Sequence, residues 1–185
     1  MEKDVMILTG AGQIGMAIAR RMGYGKKIVI GDKNPDNAQA VAKIMNDAGY
    51  DTDAVEMDLS SRESIKNLIA KAQEYGDITM LANAAGVSPS QAPVEAILKV
   101  DLYGTAVLLE EVGKVIREGG VGVTISSQSG HRMPALRRRK TNSLPARPQR
   151  NCWSWTFFSR RISEIRCTLI RWRNAAMRSG SWQSP

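Results

Sequence analysis

Cysteine, histidine and long apolar runs are scarce in this 185-residue chain, which holds two Cys and one His. Cys152 and Cys167 lack metal-ligand spacing and do not suggest a disulfide framework, so the expected compartment is a reducing cytoplasm. His131, alone after an apolar run, reads as a loop residue. No stretch approaches the roughly 18 continuous apolar residues of a membrane span, and "MEKDVMILTG" makes a poor signal peptide. Tyrosine is absent after Tyr103, and beyond residue 131 there is no Asp and a single Glu, Glu164.

That last absence divides the chain. A net charge of +8 suggests a nucleic-acid partner until it is split by position. Residues 1–131 carry 13 Lys/Arg against 17 Asp/Glu, a net −4, whereas residues 132–185 carry 13 against one, a net +12. All four Trp and both Cys also fall in the second part. The expected organisation is therefore one domain over 1–131 followed by a basic, Arg/Trp-rich tail over 132–185.

What the first part does have is order. "VMIL" (5–8), "KIVI" (27–30), "DAVEM" (53–57), "ITMLAN" (78–83) and "VGVTIS" (121–126) read as buried strands. Segments 13–23, 35–48, 61–75 and roughly 92–118 carry helical spacing, as in Ile65, Leu68, Ile69 and Ala72. Asn34 before Pro35, and Ser61 near Ser64, are helix-start signals. Strands alternating with crossover helices imply an α/β fold with a doubly wound parallel sheet.

The first turn, "TGAGQIG", sets Gly10, Gly12 and Gly15 between a strand and a helix. Gly10 permits the tight turn, Gly12 lets backbone approach a pyrophosphate, and Gly15 allows close helix–strand packing. The helix N-terminus then offers N–H groups and a favourable dipole to phosphates. Asp32, 22 residues after Gly10, ends the second strand where a carboxylate can accept both hydroxyls of an adenosine ribose. Its charge would repel a 2′-phosphate, so NAD is favoured over NADP, a preference that Lys33 moderates. A P-loop is set aside, because Gly15 is followed by Met16 where that motif needs Lys.

Together, "TGAGQIG" (9–15), Asp32, "MDLS" (57–60), "NAAG" (83–86) and "ISSQSG" (125–130) resemble the short-chain dehydrogenase/reductase family over about residues 5–131. The resemblance implies a Rossmann-type fold and an NAD-dependent oxidoreductase acting on a secondary alcohol or ketone, hydroxysteroid-like ones included. It also implies a small-molecule substrate and a homo-oligomer, with no membrane or nucleic-acid partner. Cofactor-binding residues would be Gly10, Gly12, Gln13, Ile14 and Gly15, Asp32, then Asp58 and Leu59 at the adenine. Asn83, Ala84 and Gly86 would lie beside the ribose, with the Asn83 segment bracing the central strand. Ser127 matches the catalytic Ser that hydrogen-bonds the substrate oxygen. Asp101 stands where the family usually has an Asn that supports a proton-relay water; an ionised Asp accepts a hydrogen bond but donates none. The family's Tyr-x-x-x-Lys, whose Tyr would move the hydroxyl proton with its pKa lowered by the Lys, is missing.

Three readings compete for the tail. A basic arm with interleaved Trp would make the chain a non-catalytic nucleotide-binding module that grips nucleic acid, and a surface segment would lie on a membrane. Neither matches well, because no clean amphipathic period runs through it. The third is a shifted reading frame beginning near Ala135–Arg139. With each codon formed from the last base of one and the first two of the next, Asn151-Cys152 and Cys152-Trp153 both force Leu, and Trp155-Thr156 forces Asp. Across Leu169–Asn174 the shifted frame permits Tyr-Gln-Met-Ala-Lys. As written, the chain is expected to leave the fold incomplete after the fifth strand, with that strand an open edge.

Overall fold

The computed structural model describes residues 3–127 and the backbone of 168–171. Its parallel strands are β1 (Val5–Thr9), β2 (Lys27–Asp32), β3 (Asp51–Glu56), β4 (Ile78–Asn83) and β5 (Val121–Thr124), ordered β3-β2-β1-β4-β5 across the sheet. The connections are α1 (Gln13–Met22), α2 (Pro35–Asp47) and α3 (Arg62–Gln73). A longer helical stretch follows, in which α4 (Val94–Ile97) runs through a π-helical segment (Leu98–Gly104) into α5 (Thr105–Gly113).

The continuous apolar strands are explained by layers on both faces. Successive residues of β1 point opposite ways. Val5 and Ile7 pack with Leu68 of α3 and Leu108 of α5, while Met6 and Leu8 pack with Val41 and Met45 of α2. A strand covered on both sides shows no polar alternation. Helix starts follow local chemistry. Asn34 accepts from the N–H groups of Asp36 (3.0 Å) and Asn37 (3.2 Å) ahead of α2, with Pro35 in its first turn. Ser61 accepts from Ser64 N–H at 3.3 Å ahead of α3.

Two expectations shift. β3 begins at Asp51, earlier than the expected 53, because it pairs with β2 from Lys27 onward and Asp51 itself binds Lys27 (2.8 Å) and Lys3 (2.5 Å). The outer edge of β5 is not open: β6 (Thr168–Arg171) pairs with it antiparallel, Val121 facing Arg171 and Thr124 facing Thr168. An unpaired edge presents N–H and C=O groups that an extended segment satisfies. The parallel part of the sheet still ends at β5.

Candidate functional site

Because β1 to β5 are parallel, the residues singled out in the sequence all emerge at one edge of the sheet, beyond the strands' C-terminal ends. Open α/β sheets bind ligands there. Gly10 follows β1, Asp32 ends β2, Asp58 follows β3, Asn83 ends β4, and Ser127 lies just past β5.

The turn after β1 is built from its glycines. Gly10 adopts φ +88°, and a Cβ there would lie 2.6 Å from the backbone nitrogen of Ala85, so this turn rests against the turn after β4. A Cβ on Gly15 would collide with the carbonyl of Gly10 and press on Leu8. Gly12 is different: it N-caps α1 with no side-chain hydrogen bond, and among the described residues nothing lies within 4 Å of where its Cβ would be. The first turn of α1 begins there without a side-chain cap, with Gln13 and Ile14 exposed beside it. That is the donor set and clearance a dinucleotide pyrophosphate needs.

Asp32 is held in place by the same turn. Its Oδ2 accepts from Ala11 N–H at 2.7 Å and its Oδ1 from Asn34 N–H at 2.9 Å. Asn37 Nδ2 donates to the Ala11 carbonyl at 3.2 Å and reaches Asp32 Oδ2 at 3.5 Å. Asn37 was not singled out in the sequence, because its contact with Ala11 depends on α2 and the turn after β1 meeting in the folded chain. Asp58 lies next along the edge, where Lys33 Nζ reaches its Oδ2 at 3.0 Å. Its Oδ1 accepts from the Ser60 N–H (2.8 Å) and hydroxyl (2.7 Å). Burial pushes this carboxyl upward, but the hydrogen bonds from Ser60 and Lys33 outweigh it and hold it below the usual carboxylate range. Leu59 turns into the core and is 4% exposed.

Asn83 is also buried, at 1% exposure. Thr9 Oγ1 donates to its Oδ1 at 2.5 Å, and its Nδ2 donates to Thr105 Oγ1 at 3.3 Å. The side chain thus ties β1 to α5 beneath the site. Ala84 and Gly86 carry the chain past it, and Gly86 is exposed.

The other end of the edge is a cavity of about 240 Å³ lined by Gly86, Ser88, Gln91, Asp101, Ser126 and Ser127, among others. Asp101 and Ser127 both line it. Asp101 lies in the π-helical segment and accepts from Val87 N–H at 3.0 Å through Oδ1. Burial raises its carboxyl above the ordinary value, and the Val87 hydrogen bond opposes that only partly. Among the described residues, the buried hydroxyls of Thr124 and Ser126 have no hydrogen-bond partner. Among the described residues no group of three or more His, Cys, Asp or Glu is placed to hold a metal, and no helix is long and apolar enough to cross a membrane. His131 and residues 132–167 lie outside the described residues.

Strand order, crossover helices and a glycine-rich turn opening onto an uncapped helix define a dinucleotide-binding α/β protein. The chain belongs to the short-chain dehydrogenase/reductase family: the family profile described as short chain dehydrogenase matches residues 4–137. It is 37% identical over 131 residues to the short-chain dehydrogenase/reductase bsc3 of Alternaria brassicicola, covering 71% of this chain and 48% of that protein. It is 29% identical over 143 residues to a 3beta-hydroxysteroid dehydrogenase of Mediterraneibacter gnavus, covering 71% of this chain and 52% of that one. A short-chain dehydrogenase/reductase of Serratia marcescens superposes with TM-score 0.63 at 24% identity, over 71% of this chain and 58% of that one, a likeness of fold. Structures of similar fold include a short-chain dehydrogenase/reductase of Burkholderia phymatum in complex with NAD and an actinorhodin polyketide ketoreductase with NADPH. The chain spans about half the length of the curated relatives it matches.

Proposed function

We propose that this chain carries the NAD-binding part of an oxidoreductase acting on a secondary alcohol or ketone borne on a ring, and that as written it binds the cofactor without turning over substrate. The observation that carries the reading is the open space over Gly12 and the uncapped α1, on the same edge as Asp32 and the Asp101–Ser127 cavity. The pyrophosphate would lie against the α1 N–H groups, the adenosine ribose against Asp32, and the nicotinamide end in the cavity. NAD is favoured over NADP because Asp32 is fixed by Ala11 and Asn34 where a 2′-phosphate would come, while the neighbouring cation Lys33 is engaged by Asp58. The cofactor supplies the hydride acceptor or donor; Ser127 would hold the substrate oxygen by a hydrogen bond.

A secondary alcohol must also lose its hydroxyl proton, and a serine is too weak a base to take it. Tyrosine is absent after Tyr103, so the Tyr-x-x-x-Lys pair is not supplied by residues 104–185. The domain is taken to be residues 1–131, and 132–185 to be a segment in a shifted frame whose correct reading would restore that pair. The ring-borne substrate is supported by the names of relatives, among them the hydroxysteroid dehydrogenase and a cis-4-hydroxycyclohexanecarboxylate dehydrogenase. In the intact relative a homo-oligomer is the expected assembly.

The test is a fluorescence titration of the 185-residue chain with NADH and NADPH, followed by an assay of NADH formation from NAD and cyclic secondary alcohols. Binding of NADH in preference to NADPH with no turnover is the expected result. Appreciable alcohol-dependent NADH formation would overturn the inactive reading, and sequencing the coding DNA across codons 125–185 tests the frame directly.

A further inference from the structure

The cavity beside Ser127 has an electrostatic character that the glycine-rich turn does not share. Among the described residues that line it, Asp101 is the only ionisable one; the rest are Ala, Gly, Val, Ser, Thr, Gln and Ile. Its carboxylate is fixed in orientation by Val87 N–H at 3.0 Å. Within its own helical stretch the next cation, Lys99, reaches Glu95 at 3.2 Å. The turn from Ala84 to Gln91 and the segment Thr124–Ser127, which wall the cavity, bring no charge of either sign.

We propose that Asp101 makes this cavity discriminate between the two redox forms of a nicotinamide, holding the cationic oxidised ring more tightly than the neutral reduced one. This rests on the cofactor reading given above. The two forms share the same adenosine and pyrophosphate, so contacts at Asp32, Asp58 and α1 cancel when their affinities are compared. What remains is the ring, which differs by one positive charge. A cavity of about 240 Å³ keeps any ring inside it close to Asp101, well within the roughly 10 Å Debye length at 0.1 M salt. Partial burial lowers the local dielectric and strengthens the attraction. An amide at position 101 would accept the same Val87 hydrogen bond and exert none of this pull. Asp101 is thus a specificity-determining residue for cofactor redox state.

The experiment measures Kd for NAD+ and for NADH by calorimetry at pH 8 and 50 mM salt, in the 185-residue chain and in its Asp101→Asn and Asp101→Glu variants. The expected result is that Asp101→Asn lowers the ratio Kd(NADH)/Kd(NAD+) by about three- to tenfold, and that Asp101→Glu, which keeps the charge, retains most of it. Both forms binding with a ratio unchanged by Asp101→Asn would overturn the proposal. A fall of equal size in both variants would overturn it too, since geometry and not charge would then set the ratio. Binding of neither form would remove the cofactor reading itself, an outcome distinct from the other two.

Discussion

Gly12 and Gly15 stand one turn apart and are constrained by opposite things. No described residue comes within 4 Å of a Cβ at Gly12, whereas Gly15 is backed by the Gly10 carbonyl and the Leu8 side chain. Gly12→Ala should leave stability within about 0.5 kcal/mol, because its φ of −82° suits any residue. It should weaken NAD+ binding about tenfold, by putting a methyl group where the pyrophosphate approaches. Gly15→Ala should instead cost about 1–3 kcal/mol of stability through overpacking. Urea denaturation and a nucleotide titration on the two variants separate the roles. Asp101 makes a different residue-scale prediction. Its folded carboxyl is raised by burial, so the ionised form is disfavoured in the native state and the charge destabilises the fold at pH values above its titration. Asp101→Asn should therefore be more stable than the parent at pH 7. The difference should vanish below about pH 4, where the unfolded carboxyl is protonated as well. Equal stabilities at pH 7, measured by urea titration, would refute it.

At the scale of elements, α3 and α5 meet through charge as well as through Leu68 and Leu108. Arg62 reaches Glu110 at 3.1 Å and also pairs with Glu111, while Lys114 reaches Glu110 at 3.3 Å and Glu111 at 2.9 Å. Glu111 is only 7% exposed, so its charge depends on these two cations. Arg62→Ala leaves it one partner in a poorly hydrated position and should cost about 1–3 kcal/mol. Replacing Lys43, in an exposed pair with Asp47 at 2.8 Å, should leave the denaturation midpoint where it is, because solvent screens the pair. Chemical denaturation of both variants tests the contrast.

For the whole molecule, burial on both faces distinguishes the inner strands from the edge. β1 and β4 are buried throughout, whereas Val121 and Val123 of β5 are half-buried. Amide exchange should be slowest in β1, β2 and β4 and faster in β5; protection of β5 equal to that of β1 would contradict this. The same contrast accounts for what the sequence revealed. β1, β2 and β4 were legible as apolar runs, and the starts of α2 and α3 as Asn34-Pro35 and Ser61, since each signal is local. The Ala11–Asp32–Asn37 bracket, the Lys33–Asp58 pair and the Val87–Asp101 hydrogen bond were not legible. They join elements that meet only once the sheet is wound. The π-helical segment was hidden as well, because its apolar residues keep helical spacing while the hydrogen-bond register changes. β6 was missed because its pairing depends on an edge contributed by residues far away in the chain.

Asn83 has a consequence for how this fold tolerates change. Its amide accepts at one end and donates at the other, and its backbone carbonyl takes the N–H of Ile125 at 2.9 Å. Asp would keep the acceptor and lose the donor, Leu would strand both threonine hydroxyls, and Gln would overshoot in a site with 1% exposure. A library saturated at this codon and selected for solubility should return little but the parent residue. The position works as a keystone, whose removal loosens strands and helix at once.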